Sequence, residues 1–166
     1  MNVNTIIEGI LDREKEGTPP YLAKDDAGGR TSWGISERTH PEAWRPGPPT
    51  RDQARSIYLS VYVKPFFALQ GVAGDALIVA LVDDAVTSGV EESIRGLQIS
   101  LGVVADGRLG PATLAAFRGR VQTTLLKQVV VARAIRLARI VQHRPSDLTN
   151  LVGWLSRVLS FLPETM

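Results

Sequence analysis

Apolar residues recur at helical spacing along most of the chain. Residues 5–15 place them at i, i+1, i+4 and i+5, and residues 54–62 place them at i, i+3, i+4, i+7 and i+8. Both patterns are typical of helices with one buried face. Further helices are expected over 76–86, over 91–101, and from Pro111 or Val121 to about His143.

Local signals predict where the first helices begin and end. Thr5 with Glu8, and Thr50 with Gln53, have the spacing of a capping box at a helix start. Pro65 lacks the backbone donor that a continuing helix needs, so the second helix is expected to end there.

The stretch 21–36 has no helical periodicity and predicts a small hairpin or irregular β element, with Gly28-Gly29 at its turn. The predicted fold class is therefore mainly α: a helical bundle around a long helix, with a small β-hairpin element. The 166 residues, 44% of them hydrophobic, are enough for one compact core. Residues 1–166 are thus expected to form a single domain.

Composition argues against several classes of protein. No run of about 18 apolar residues is present to span a bilayer, and the N-terminus lacks the basic start of a signal peptide. The absence of cysteine excludes disulfides and cysteine-based zinc sites. No metal or cofactor is implied.

Charge is unevenly distributed. Residues 1–107 hold 10 Lys and Arg against 15 Asp and Glu, whereas residues 108–166 hold 9 against 2. On the long helix, Arg136, Arg139 and His143 fall opposite the apolar stripe. This basic end either binds an anionic surface or is an ordinary solvated helix face.

The candidate chemistry lies in a short acidic segment. Glu16, Asp25 and Thr31 stand as E-x8-D-x5-T, and Asp26 is the alternative second carboxyl. Two carboxyls in different environments can act as general acid and base. Glu16 is expected at the C-terminus of the first helix, where the helix dipole would raise its pKa. The alternative is that Glu16 is an exposed residue at the end of the helix and that Asp25 and Asp26 are ordinary turn residues.

A second acidic pair, Asp83-Asp84, falls on the apolar helix 76–86. The two residues could face a cleft, but surface or capping roles are the preferred interpretation.

The segment around Glu16 resembles phage-type lysozymes and the related muramidase family whose hallmark is E-G-G-Y, followed by Asp and G-G-x-T-x-x-G-I. The matching residues are Glu16, Gly17, Tyr21, Gly28, Gly29, Thr31, Gly34 and Ile35. The chain departs from the pattern at Thr18-Pro19-Pro20, a lengthening by two residues. Measured from Glu16 the spacing favours Asp25, and measured back from Gly28-Gly29 it favours Asp26.

Two later segments extend the resemblance. Residues 97–117 are similar to the L-Q-x-x-L-G-x-x-x-D-G-x-x-G-P-x-T-L pattern of peptidoglycan-binding modules. The segment around Trp154 resembles the closing G-W-x-N-R of the family, with Ser156 where Asn is usual. The resemblance implies an α+β lysozyme-like fold, with residues 1–90 as catalytic part and 91–166 as a peptidoglycan-binding-like helical part.

The resemblance also implies the reaction: hydrolysis of the β-1,4 bond between N-acetylmuramic acid and N-acetylglucosamine in peptidoglycan. Glu16 would be the general acid, Asp25 its partner, and Thr31 would place a water. Tyr21, Asp26 and Trp33 are the expected substrate contacts, with Trp33 either stacking on a sugar or packing in the core. Retention, inversion and transglycosylation are alternative outcomes.

The same resemblance sets the expected biology. The protein would be a monomeric phage or prophage endolysin, made in the host cytoplasm and released to the cell wall by a holin-type route. Its expected partner is bacterial peptidoglycan, with a second contact from the basic C-terminal part to the anionic outer-membrane surface and none to nucleic acid. The alternatives from other classes are a non-catalytic peptidoglycan-binding module and a membrane-active protein.

Overall fold

A computed structural model describes residues 2–14, 21–22 and 29–162 of the chain. The described residues form eight α-helices and a three-stranded antiparallel sheet in the order β1-β2-β3. The elements are α1 (Val3–Arg13), β1 (Tyr21–Leu22), β2 (Arg30–Ser32), β3 (Ile35–Ser36), α2 (Pro41–Trp44), α3 (Arg51–Ile57), α4 (Asp75–Ser88), α5 (Val90–Leu101), α6 (Pro111–Ala115), α7 (Gln122–His143) and α8 (Leu148–Leu159).

Two compact units divide the chain, residues 2–64 and residues 65–166. In the first unit the apolar face of α1 is buried, as its spacing predicted. The cap of α1 differs from the prediction, because Asn2 and not Thr5 is the N-cap: its side-chain oxygen accepts the Thr5 N–H at 3.2 Å. An Asn side chain satisfies an orphan donor of the first turn as well as Thr does.

The helical stretch that begins with α3 departs from a regular α-helix. The predicted Thr50–Gln53 capping box is present at the start of α3. After Ile57 the chain forms a π-helical segment, Tyr58–Val63, and then a 3-10 helix, Lys64–Leu69. Pro65 falls at this last change, as expected of a residue that has no backbone N–H to donate.

In the second unit α4 is buried on nearly all sides, α5 ends at the left-handed Gly102, and α7 is the long helix. Of the two predicted starts of α7, the one at Val121 is right, because Val121 is its N-cap. Gly119, with φ +72°, separates α7 from the short α6.

Asp83 and Asp84 lie in the interior of the second unit, so the preference for surface or capping roles was wrong. Their exposed fractions are only 1% and 2%. Arg133 Nη1 donates to Asp83 Oδ2 at 2.9 Å, and Arg136 Nη2 donates to Asp84 Oδ1 at 2.5 Å. Arg157 of α8 donates from Nε to Asp83 Oδ1 at 3.0 Å. We call these five residues the aspartate–arginine cluster, and it links α4, α7 and α8.

The segment that resembles a peptidoglycan-binding module is built around a buried amide. Gln98 Nε2 donates to Asp106 Oδ1 at 2.7 Å, to the Arg108 carbonyl at 2.9 Å and to Thr113 Oγ1 at 3.0 Å. Its Oε1 accepts the Gly107 N–H at 2.8 Å. Hydrogen bonds from Gln98 and from the backbone N–H of Arg108 hold the pKa of Asp106 below its usual value.

Replacing Gln98 by Ala should therefore destabilise the second unit by about 3–5 kcal/mol. The variant loses these bonds and leaves the buried Gly107 N–H without its partner. Urea unfolding followed by circular dichroism measures the loss. Gln128→Ala, an exposed Gln on α7, is the matched control and should change stability by less than about 0.5 kcal/mol. Equal, small losses in both variants would contradict the structural role of Gln98.

Candidate active site

Three of the residues that sequence reasoning proposed for the site belong to the small sheet of the first unit. Tyr21 lies in β1, Thr31 lies in the central strand β2, and Trp33 is in the turn between β2 and β3. The register places Tyr21 opposite Thr31, and Thr31 opposite Ser36. Thr31 and Trp33 are therefore two residues apart in the same hairpin.

The three carboxyls proposed for the site lie outside the described residues. Glu16 belongs to the segment 15–20, which joins α1 to β1, and Asp25 and Asp26 belong to the segment 23–28, which joins β1 to β2. Their roles and the choice between Asp25 and Asp26 stay predictions. The expected helix end at Glu16 is corrected, because α1 ends at Arg13 with Glu14 as its C-cap.

The turn between β2 and β3 is a two-residue hairpin loop with positive φ at both positions, +52° at Trp33 and +75° at Gly34. Such a loop matches the right-handed twist of the strands. A non-glycine residue in this conformation is uncommon and is held by its surroundings. Here the Tyr58 hydroxyl donates to the Trp33 carbonyl at 2.9 Å.

Gly34 is required by close packing as well as by its backbone angle. A Cβ at this position would collide with the Tyr58 hydroxyl and with the side chain of Glu14. The end of α1 therefore lies directly against the hairpin turn. In the sequence, Gly34 stands out only as part of the motif, and Tyr58 was not predicted to support the site. The Trp-Gly pair between two short strands was the available signal.

The Trp33 indole is half-buried, and the Arg51 guanidinium lies 5.9 Å from the centroid of its ring. Arg51 is in turn ion-paired with Glu8 of α1. One ring face is thus engaged by a cation within the first unit, which favours a fixed orientation of the indole.

The outer side of the sheet is also held in place. Arg30 binds Glu37 through two hydrogen bonds of 2.8 and 2.6 Å, and this contact lowers the pKa of the Glu37 carboxyl. Trp44 Nε1 donates to the Ile35 carbonyl at 3.2 Å, and the Arg30 guanidinium lies 5.0 Å from the Trp44 ring centroid. Strand β2 is therefore held through Arg30, and strand β3 through the carbonyl of Ile35.

Two parts of the chain match known protein families. Residues 11–89, which contain the sheet and both carboxyl-bearing segments, match the family described as Glycosyl hydrolase 108. The first part of the chain carries a glycosyl hydrolase 108 domain. Residues 92–159 match a Predicted Peptidoglycan domain. This glycosyl hydrolase is a muramidase-type enzyme that acts on peptidoglycan.

The fold of this glycosyl hydrolase is similar to that of SagA from Brucella abortus. The TM-score is 0.73 at 22% sequence identity, over 98% of this chain and 97% of that one. The mainly α, lysozyme-like fold with a small β element is thereby confirmed. No curated protein matches the chain.

The basic C-terminal part of the glycosyl hydrolase is less exposed than expected. Arg133, Arg136 and Arg157 belong to the aspartate–arginine cluster, so Arg136 is paired with Asp84 and is not part of an exposed basic face. The exposed cations from residue 108 onward, within the described chain, are Arg108, Arg118, Arg120, Lys127, Arg139 and Arg144.

Neither a membrane span nor a metal centre is found in the described part of the chain. None of its helices combines the length and the apolar character needed to cross a bilayer. No group of three or more His, Asp or Glu residues there could hold a metal ion.

Proposed function

We propose that this glycosyl hydrolase cleaves the β-1,4 bond between N-acetylmuramic acid and N-acetylglucosamine, with Glu16 as general acid. The observation that carries the proposal is the family match over residues 11–89, which includes Glu16, Asp25 and Thr31. The packing of Glu14, two residues before Glu16, against the turn beside Trp33 supports it.

In this proposal Glu16 protonates the glycosidic oxygen as the sugar gains oxocarbenium character. Asp25 stabilises that charge or activates a water, and Thr31 on the central strand holds the water. Tyr21, Asp26 and Trp33 contact the substrate. Residues 1–90 supply the chemistry, and residues 91–166 hold the enzyme on the cell wall.

Product analysis on purified sacculi tests the bond and the reaction class. Mass spectrometry of the soluble fragments should show new reducing N-acetylmuramic acid ends. An anhydro end on the muramic sugar would show a transglycosylase instead. Intact glycan that binds the protein without being cut would show a non-catalytic binding module.

Asp25→Ala should lose more activity than Asp26→Ala, because the spacing E-x8-D-x5-T places Asp25 where phage-type lysozymes have the second carboxyl. Losing a positioned acid or base typically costs about 10²–10⁴-fold in rate. Turbidity clearing of sacculi by the two variants, at equal folded protein, measures the difference. A larger loss of activity in Asp26→Ala would make Asp26 the second catalytic carboxyl.

The biological setting we propose is a monomeric phage or prophage endolysin that reaches the wall by a holin-type route and lyses the host. Its support is the resemblance of the acidic segment to phage-type lysozymes. Induced expression in a Gram-negative host should cause lysis only when a holin is co-expressed. Lysis without the holin would contradict this export route.

The exposed cations of the C-terminal part are proposed to attract the anionic outer surface of the cell. Exposed charges act over roughly 8–10 Å at physiological salt, so this attraction should weaken as salt is added. The double variant Lys127→Gln with Arg139→Gln should bind anionic vesicles less tightly and with a shallower salt dependence. Arg45→Gln with Lys64→Gln removes the same charge from the first unit and is the matched control. If both double variants bind the vesicles equally, Lys127 and Arg139 are only solvated charges and do not attract the surface.

A further inference from the structure

Helix α8 exposes a line of apolar side chains to solvent. Leu148, Val152, Leu155 and Leu159 recur at intervals of four, three and four residues, which places them along one side of the helix. Leu148 is 61% exposed, Val152 75% and Leu159 47%, and Leu155 is half-buried. We call these four residues the α8 stripe. Single apolar residues are common on protein surfaces, whereas a continuous line of them indicates a contact with something outside the chain.

A neighbouring row of α8, and not the stripe, is covered within the second unit. This row consists of Leu151, Trp154 and Val158, and Val158 is only 1% exposed. Trp154 lines a cavity together with Leu137 and Ile140 of α7, against which α8 packs. The apolar part of α8 is therefore wider than the part that its own chain covers. Packing on α7 does not account for the α8 stripe.

The exposed charge of the helices α7 and α8 is mainly positive. Residues 122–159 contain six Lys and Arg and a single acidic residue, Asp147. Three of these cations belong to the aspartate–arginine cluster, and Asp147 is ion-paired with the exposed Arg144 at 3.3 Å. Lys127 and Arg139 of α7 are exposed, and α8 itself has no acidic residue. A surface that complements these two helices is therefore apolar at the α8 stripe and anionic around it.

The α8 stripe is too small for a stable contact between two copies of the chain. From Leu148 to Leu159 it extends about 17 Å at 1.5 Å per residue, and a helix with its side chains is about 10 Å wide. The footprint is thus on the order of 170 Å². That is far below the roughly 800 Å² that each partner buries in a standard protein interface. A lipid bilayer needs no such area, because an amphipathic helix can lie in its surface with only one apolar face buried.

We propose that α8 lies in the surface plane of an anionic lipid bilayer, with Leu148, Val152 and Leu159 buried at the level of the acyl chains. This goes beyond the attraction proposed above for Lys127 and Arg139, which acts at a distance and requires no side chain to enter the bilayer. The helix is a reversible anchor, because it inserts one face and does not span the membrane. The anchor does not depend on which bond of peptidoglycan the enzyme cuts.

The first test measures binding of the full-length protein to vesicles of phosphatidylcholine mixed with phosphatidylglycerol, by co-sedimentation. Val152→Asn with Leu159→Gln should bind at least about tenfold more weakly than the parent, because two apolar side chains no longer leave water. Val104→Asn with Ile99→Gln is the matched control. These two residues are 83% and 64% exposed but lie outside α8, so binding should not change.

A second test shows whether the stripe enters the bilayer. The chain has no cysteine, so one introduced cysteine carries a polarity-sensitive dye at a single position. Dye on Val152→Cys should shift to the blue with the same vesicles and be quenched by nitroxides on the acyl chains. Dye on Asn150→Cys, which is exposed on the opposite side of α8, should respond much less. Lys127→Gln with Arg139→Gln should reduce the bound fraction and leave the blue shift of the bound protein unchanged.

The proposal is overturned if the two apolar double variants bind equally, or if dye at residue 152 stays in a watery environment on bound protein. A dimer that forms in ultracentrifugation and is abolished by Val152→Asn with Leu159→Gln would also overturn it, in favour of a contact between two copies. Loss of lysis in Glu16→Gln with vesicle binding intact leaves this inference standing. A parent that clears sacculi and does not bind the vesicles overturns this inference alone.

Discussion

Glu16→Gln is expected to abolish the clearing of peptidoglycan while leaving the protein folded. The substitution keeps the size and shape of the side chain and removes the proton that a general acid donates. Losing a positioned general acid costs about 10²–10⁴-fold in rate. Turbidity clearing, with circular dichroism to check folding, measures the effect.

Glu14→Gln is the matched control, because Glu14 is the other carboxyl at the end of α1 and lies against Gly34. It should retain the activity of the parent. If Glu14→Gln loses activity and Glu16→Gln keeps it, the general acid is Glu14, the C-cap of α1. A folded Glu16→Gln enzyme that clears sacculi at the parent rate would remove Glu16 from the mechanism.

The parts of the fold that follow from local chemistry could be predicted from the sequence. Helical periodicity located α1, α4, α5 and α7, and the Thr50–Gln53 box located the start of α3. These signals lie within one or two turns of the residues that they govern. The cap of α1 was missed because Asn2 and Thr5 are both good caps, and their competition is decided by packing.

The aspartate–arginine cluster could not be predicted in the same way. Each aspartate looks like a surface residue in its own segment, and Arg133 and Arg136 fall on a helix that also carries the exposed Lys127 and Arg139. Their partners are 50 to 74 residues away in the chain. Only the tertiary packing of α4, α7 and α8 turns five solvated charges into one buried network.

For the candidate site, the sequence predicted the small β element, and the roles of its residues stay predictions. Thr31 lies in β2, and Trp33 lies in the turn that follows it. The supports that fix them were not visible, since the Tyr58 hydroxyl and the Arg51 guanidinium come from a segment about 20 residues later. Those residues have ordinary helical spacing, and their contact with the hairpin depends on the turn at Trp33 and Gly34.

Asp83→Asn is expected to destabilise the second unit by about 3–5 kcal/mol, the loss that follows when one member of a buried ion pair is removed. Asp83 accepts hydrogen bonds from both Arg133 and Arg157. Without its charge, the cluster would oppose three guanidinium groups to the single carboxylate of Asp84. Urea unfolding measures the loss, and Asp147→Asn, which affects only an ion pair with the exposed Arg144, should cost about 0–1 kcal/mol.

Arg133→Met should cost less than Asp83→Asn, although Arg133 is the more connected residue. Removing Arg133 leaves Asp83 paired with Arg157 and Asp84 paired with Arg136, so each carboxylate keeps an arginine partner. Asp83→Asn instead leaves Arg133 and Arg157 beside an uncharged side chain, and the difference between the two variants reports how much these guanidinium groups need the Asp83 carboxylate. If Arg133→Met is the more destabilising of the two, the geometry of the network rather than the pairing of its charges controls its stability.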